Sequence, residues 1–345
     1  MRARFRAAPH RDFSAAAEYA DLAIKHIDRL PQSPREIGNR IFLEKNFRAL
    51  LAVRDKRPDD ALRLLEEGLA DIRRLCPARH QTESPIFLQN RARVYAALKR
   101  FDSAVTSYSE AIALEPFCAE LHFKRGTSHH ALGDHQAALT DYRLALQAGP
   151  PRPEMHLNAA LAHAALDDDD HALDEYGHTL ELNPGHLSAR LKRATLHYRA
   201  GRLAEAGEDA EVGLRIDPRH ADLLCVRGLV RLSTGDLDAA LADFTAAVET
   251  NPGHTAALKN RSSAWFAKGD LNSALRDADR CVATRPDGAA YLNRGYLHQS
   301  LGSWQQAMAD YNRAAGYQDA DHAELHRRQA SCVRALMEQT VLARA

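Results

Sequence analysis

Proline stands at Pro116, Pro150, Pro184, Pro218, Pro252 and Pro286, each 34 residues after the last. Alanine recurs in step at Ala104, Ala138, Ala172, Ala206, Ala240, Ala274 and Ala307, with a one-residue slip before the final copy. Twelve residues ahead of each alanine is another small residue: Ala92, Gly126, Ala160, Ala194, Gly228, Ser262 or Gly295. Seven behind it comes Ala111, Ala145, Thr179, Gly213, Ala247, Cys281 or Ala314. Four columns held in register over so much of the chain leave few ways to fold. A period of this length makes each repeat one supersecondary unit that buries its apolar face only by stacking on its neighbours.

The physical role of each column follows. Small residues let two antiparallel helices approach to the short end of the 8–10 Å range. Gly133-Asp134, Gly235-Asp236 and Gly269-Asp270 each end one helix through a left-handed glycine and start the next from an aspartate. Proline closes the second helix and can open the following one. This arrangement resembles the tetratricopeptide repeat (TPR) family, whose 34-residue helix–turn–helix carries a W-x2-L-G-x2-Y, A-x3-F and P pattern. The resemblance implies an all-α, right-handed superhelical solenoid of stacked antiparallel helix pairs, A and B. Its seven units are 85–118, 119–152, 153–186, 187–220, 221–254, 255–287 and 288–321.

The flanks also read as helical. Residues 1–84 form an N-terminal helical segment, with a divergent TPR-like hairpin at 35–76 and a linker, PARHQTES, at 77–84. In that hairpin Ile37, Ile41, Phe42, Phe47 and Leu50 share one helix, and Leu62, Leu65, Leu69 and Ile72 the other. Residues 13–30 read like a helix B whose helix A is missing. Residues 322–345 are expected to form the solvated capping helix that such arrays need, with Leu325, Cys332 and Leu336 inward and Arg327, Arg328 and Arg334 outward.

A second regularity is one of charge. Arg125, Arg193, Arg227, Arg261 and Arg294 share a helix A column, and sixteen residues on stand Asp141, Asp209, Asp243, Asp277 and Asp310. The spacing predicts an arginine–carboxylate bridge inside each unit, which adds specificity more than stability because desolvation offsets much of the attraction. Two units depart: Arg91 faces Ser107, and Ala159 faces Glu175.

Chemistry is sparse. No G-x4-G-K-[ST], G-x-G-x-x-G, H-E-x-x-H or G-x-S-x-G occurs, so no enzyme is expected. Charge is balanced, 46 basic against 46 acidic residues, so no one-sign field draws in nucleic acid or an anionic membrane. No apolar run approaches the ~20 residues that cross a bilayer. Five widely spaced cysteines suit reduced thiols, and the expected location is the cytoplasm.

The densest polar stretch is HAALDDDDHALDEYGH, residues 163–178. In register, Asp167 and Asp168 occupy the Gly-Asp turn, with Asp167 in the glycine's place, so most of this stretch is a turn beside a helix N-terminus. His171, Glu175 and His178 fall on one helical face at metal-compatible spacing. A solvated polar face is the expectation for them, and no metal or other cofactor is assigned. His129, His163, His197 and His298 share a column that packs between units, and His186, His220 and His254 share an exposed turn.

The resemblance also implies function. TPR arrays act as non-catalytic protein-interaction scaffolds that seat a partner's peptide or helix on a concave face lined by helices A. The positions facing that groove would be Phe123, His130, Leu157, Leu161, Leu191, Tyr198, Arg199, Leu229, Leu232, Lys259, Phe266 and Tyr296. Their mixture suits an apolar extended or helical segment. NRSSAWFAKGD, residues 260–270, is similar to part of the chaperone-adaptor subtype that clamps a C-terminal carboxylate. Asn260 matches its middle asparagine, but Cys225, Leu229, Ala289 and Asn293 stand at the other four clamp positions, so a chaperone tail is not the expected partner. The alternatives are a sensor or regulatory region of a larger signalling protein, or an accessory subunit that presents substrate to a partner enzyme.

Overall fold

The computed structural model describes residues 34–77, 80–318 and 322–342; the helix expected at 13–30 lies outside them. Every regular element among the described residues is helical. The chain divides between Thr179 and Leu180 into two compact units.

In the first unit, α1 (Pro34–Ile41), a π-helical turn (Phe42–Asn46) and α2 (Phe47–Arg54) run in succession and pair with α3 (Pro58–Leu75). The pairs α4 (His80–Ala97) with α5 (Phe101–Leu114), and α6 (Ala119–Ala131) with α7 (His135–Ala148), follow, then α8 (Pro153–Ala165) and α9 (Asp169–Leu182). The π turn inserts an extra residue and rotates the apolar face of the helix past it. Leu50, expected inside with Ile37 and Ile41, is therefore 43% exposed, while Ala49 and Ala52 are buried in its stead. Residues 80–84, expected as linker, already belong to α4. Phe87 anchors that helix: it is fully buried and lies so close to Gly68 that an added Cβ would sit 2.4 Å from its ring. Pro85 lies inside α4, one turn past its start, and removes one intrahelical hydrogen bond there.

In the second unit, α10 (Leu187–Arg199) pairs with α11 (Leu203–Ile216), α12 (Ala221–Ser233) with α13 (Leu237–Thr250), α14 (Thr255–Ala267) with α15 (Leu271–Thr284), and α16 (Gly288–Ser300) with α17 (Trp304–Ala314). The last helix, α18 (His322–Leu342), packs on α17. Leu325 and Cys332 are buried there and Leu336 half-buried, as the sequence pattern requires.

The columns explain the packing. Tyr108, Tyr142, Tyr176, Phe244 and Tyr311 are buried aromatics of helices B. Tyr142, Phe244 and Tyr311 stand against Gly126, Gly228 and Gly295 of helix A, and a Cβ on Gly228 would lie 2.6 Å from Phe244. Where helix B carries Ala210 or Ala278 instead, no aromatic fills that slot.

The A-to-B turn keeps one backbone conformation, although Arg100, Arg202 and Ser303 at the cap position make no side-chain cap. Its third residue is left-handed, as at Gly133 (φ 83°) and Gly235 (φ 86°), and Asp134 and Asp236 then accept from the backbone N–H three residues on, both at 3.1 Å. Asp167 adopts this conformation too, at φ 57°, without a glycine's freedom. Lys56, between α2 and α3, does likewise at φ 58°.

The predicted bridge is present in all five units that carry the pair. Arg125, Arg193, Arg227, Arg261 and Arg294 each grip their aspartate with Nε and Nη2, at 2.6–3.0 Å. The five aspartates are 2–4% exposed, and the bidentate fork sets a positive charge against each of them, with Arg190 adding a second at Asp209 and Arg231 at Asp243. The fork holds the Arg193, Arg227 and Arg294 guanidinium pKa above its ordinary value. In the departing units, Arg91 donates to Ser107 Oγ at 3.0 Å and to Glu110 at 3.0 Å, and Glu175 pairs with His156 at 2.7 Å.

Candidate functional site

The expected groove residues lie on helices A, and the two units are taken separately. In the first, Phe123 is not a groove residue: it is 7% exposed and packs on Tyr142 with ring centroids 5.9 Å apart. The Arg152 guanidinium and the Lys124 ammonium sit over its ring at 5.3 and 5.4 Å, closing it from solvent. The small residue at Gly126 lets Tyr142 come up beside it and draws Phe123 into the core. His130 is half-buried and its Nδ1 lies 3.1 Å from that of His135; burial, then the neighbouring imidazole, lowers its pKa. Leu157 and Leu161 are half-buried on α8, four residues apart on one side of the helix.

In the second unit the helices A themselves meet, α10 with α12 and α12 with α14. Tyr198 Oη and Ser233 Oγ share a hydrogen bond of 3.2 Å, and Phe266 and Tyr296 meet with ring centroids 5.2 Å apart. Leu191, Leu229, Leu232, Tyr198, Phe266 and Tyr296 are all half-buried. Leu191, Leu229 and Leu232 rest on the core around Leu223, Leu258 and Phe244, while Phe266 rests on Ala274, Ala278 and Leu297. Arg199 and Lys259 are exposed beside them. An apolar strip with two flanking cations runs along the A side of this unit.

One end of that strip is not open as expected. Arg328, expected to face water, lies over Tyr296 with its guanidinium 4.5 Å from the ring centre, and Glu324 holds it at 2.7 Å. Tyr296 thus contacts both Phe266 and Arg328 of the C-terminal helix. Asn260 is half-buried on α14.

The polar face expected at His171, Glu175 and His178 does not form one group. Glu175 turns to His156, whose ring also meets His178 at 5.2 Å. His171 turns the other way, to Asp168.

A role went unread in the sequence. His186, His220 and His254 are not idle turn residues: each Nδ1 accepts from the backbone N–H of Ala189, Leu223 and Ala257, at 3.1, 3.4 and 3.1 Å. They cap α10, α12 and α14. The signal lies in the module Asn183-Pro184-Gly185-His186 and its copies Asp217-Pro218-Arg219-His220 and Asn251-Pro252-Gly253-His254. Its first side chain accepts from the N–H two residues on, at 3.1–3.2 Å, and so makes an Asx turn that delivers the histidine to the cap position.

No helix among the described residues is long and apolar enough to cross a membrane. Family models of the tetratricopeptide repeat match residues 90–153, 157–221, 225–289 and 288–321. No curated protein matches the sequence. Among solved structures, a tetratricopeptide repeat protein from Parabacteroides merdae ATCC 43184 is similar, with a TM-score of 0.58 and 20% identity over 71% of this chain and 97% of that one. Pseudomonas aeruginosa pilF is similar with a TM-score of 0.53 and 15% identity, over 62% of this chain and 97% of its own. At these identities the likeness speaks for the fold alone. The sequence matches, spread over most of the chain and coinciding with the helix pairs, carry the assignment: this chain belongs to the tetratricopeptide repeat family.

Proposed function

We propose that the protein is a non-catalytic, cytoplasmic scaffold that binds an apolar extended or helical segment of a protein partner along helices A of its second unit. The observation that supports this reading best is the half-buried strip of Leu191, Tyr198, Leu229, Leu232 and Phe266, flanked by exposed Arg199 and Lys259. Aromatic and aliphatic anchors with few charges to desolvate are what a helix-in-groove or extended-peptide interface uses. The two flanking cations favour a partner segment with acidic residues at its edges. Leu157 and Leu161 offer a smaller patch of the same kind in the first unit. Nucleic acid, a membrane surface and chaperone tails stay outside the reading.

The test is a pull-down that compares wild type with Tyr198→Ala and Phe266→Ala. Each variant is expected to lose the same partner while keeping its helical circular dichroism. Retention of every partner by both variants would remove the second-unit strip as the binding face.

A further inference from the structure

The first unit brings together three metal-ligating side chains that sequence spacing alone does not single out. His163 lies in the last turn of α8, Asp168 follows the left-handed Asp167 in the turn, and His171 lies in the first turn of α9. His163 Nδ1 is 2.8 Å from Asp168 Oδ2, and His171 Nδ1 is 2.8 Å from Asp168 Oδ1. The two imidazoles stack with centroids 5.1 Å apart and planes 19° from parallel. One ligand atom from each residue falls within 4.8 Å of the others.

We propose that His163, Asp168 and His171 form a binding site for a divalent transition metal of the zinc–cobalt–nickel class. Two imidazoles and one carboxylate are the donor set that such borderline ions take. A tetrahedral ion with bonds of about 2.0–2.2 Å needs donors roughly 3.3 Å apart. The two 2.8 Å contacts end on different oxygens of Asp168, so on binding they open slightly and the carboxylate turns to set one oxygen beside both imidazoles. A carboxylate can only accept, so in the metal-free protein both Nδ1 atoms carry the proton. On binding, Nδ1 of each neutral imidazole becomes the ligand and its proton passes to Nε2, leaving Asp168 to bind through oxygen. Solvent reaches the site from one side, since the His171 side chain is 69% exposed while that of His163 is 20% exposed. The remaining coordination positions are open to water on that side. Asp170 and Asp174 add negative potential at the same helix end.

The repeat supplies an internal comparison. One unit earlier, His129 and Asp134 occupy the equivalent positions 3.8 Å apart, but Ala137 stands where His171 would be. One unit later His197 is followed by Arg202 and Glu205. The complete His–Asp–His set thus appears only in the unit 153–186, on a His–Asp pair already present in its neighbour.

The experiment is calorimetric titration of the full chain with Zn²⁺, and with Co²⁺ followed by its visible absorption. Wild type is expected to bind one equivalent at low-micromolar or tighter affinity, with a Co²⁺ spectrum of low coordination number. His171→Ala, at an exposed position, is expected to weaken that site at least tenfold without changing the fold. His178→Ala, a neighbouring histidine outside the set, is expected to leave it intact. Wild-type affinity no tighter than that of His171→Ala, or an equal loss in His178→Ala, would overturn the site in favour of scattered surface histidines.

Discussion

Asp167 shows most plainly what the repeat demands of a single residue. The turn needs a left-handed backbone there, and glycine meets the need in the corresponding turns at Gly133, Gly201, Gly235, Gly269 and Gly302. A side chain at φ 57° carries a steric cost that aspartate softens but does not remove. Asp167→Gly is expected to stabilise the protein by about 0.5–1 kcal/mol, less the entropy that glycine returns to the unfolded chain. Urea midpoints of the two proteins measure it, and a lower midpoint for the variant would mean that the aspartate makes a compensating contact. His197 supplies the second residue-scale prediction. Its Nδ1 is buried with no hydrogen-bond partner among the described residues, and burial lowers its pKa against the opposing pull of Asp209. A histidine whose folded pKa lies below its unfolded value of about 6.5 leaves the unfolded chain holding more protons in that window. Its contribution is therefore complete above about pH 6.5 and is lost as the pH falls toward the folded pKa. His197→Gln is expected to flatten the fall in stability between pH 7 and pH 5, measured by urea unfolding at each pH. An unchanged slope would assign the acid sensitivity to other groups.

At the scale of the helix, capping and pairing do most of the specifying. The histidine caps of α10, α12 and α14 accept through Nδ1. Replacing His186, His220 and His254 together by alanine is expected to cost about 2–4 kcal/mol, at about 1 kcal/mol per cap. Replacement by aspartate, which caps through the same N–H groups, should recover most of that, as thermal melts of the three proteins would show. Equal melting temperatures for wild type and the alanine triple would leave the caps without energetic weight. The turns, the small-residue contacts and the arginine–aspartate forks were legible in the sequence because each rests on one residue type at one repeat position. What the sequence did not show depends on neighbours outside the period. Glu175 was expected beside His171 and His178, yet His156, nineteen residues earlier, holds it. That offset is itself a column, since His122 approaches Asp141 and Arg190 reaches Asp209 over the same interval. Phe123 shares a helix side with groove positions, but the cations at Lys124 and Arg152 and the ring of Tyr142 enclose it. Leu50 was misplaced because a π turn breaks the 3.6-residue period that the reading assumed.

At the scale of the molecule, each unit is an array whose stability is a sum of helix pairs and the interfaces between neighbours. Such an array leaves its helix A side chains to two uses, core and contact. In the second unit Leu191, Leu229 and Leu232 each rest on the core and keep part of their surface in solvent, where the proposed contact would form. A partner that buries this strip gains from apolar area without disturbing the arginine–aspartate forks, which lie in the interior of each pair. On the proposed function, the partner docks there. The most direct measurement starts from a peptide selected from a displayed random library on wild-type protein, titrated against wild type, Phe266→Ala, Tyr198→Ala and Glu211→Ala, the last on the exposed side of α11. The expected result is an apolar peptide whose affinity falls at least about tenfold, or ~1.4 kcal/mol, in the first two variants and is unchanged in the third. Binding that survives both helix A variants, or that fails equally with Glu211→Ala, would contradict it.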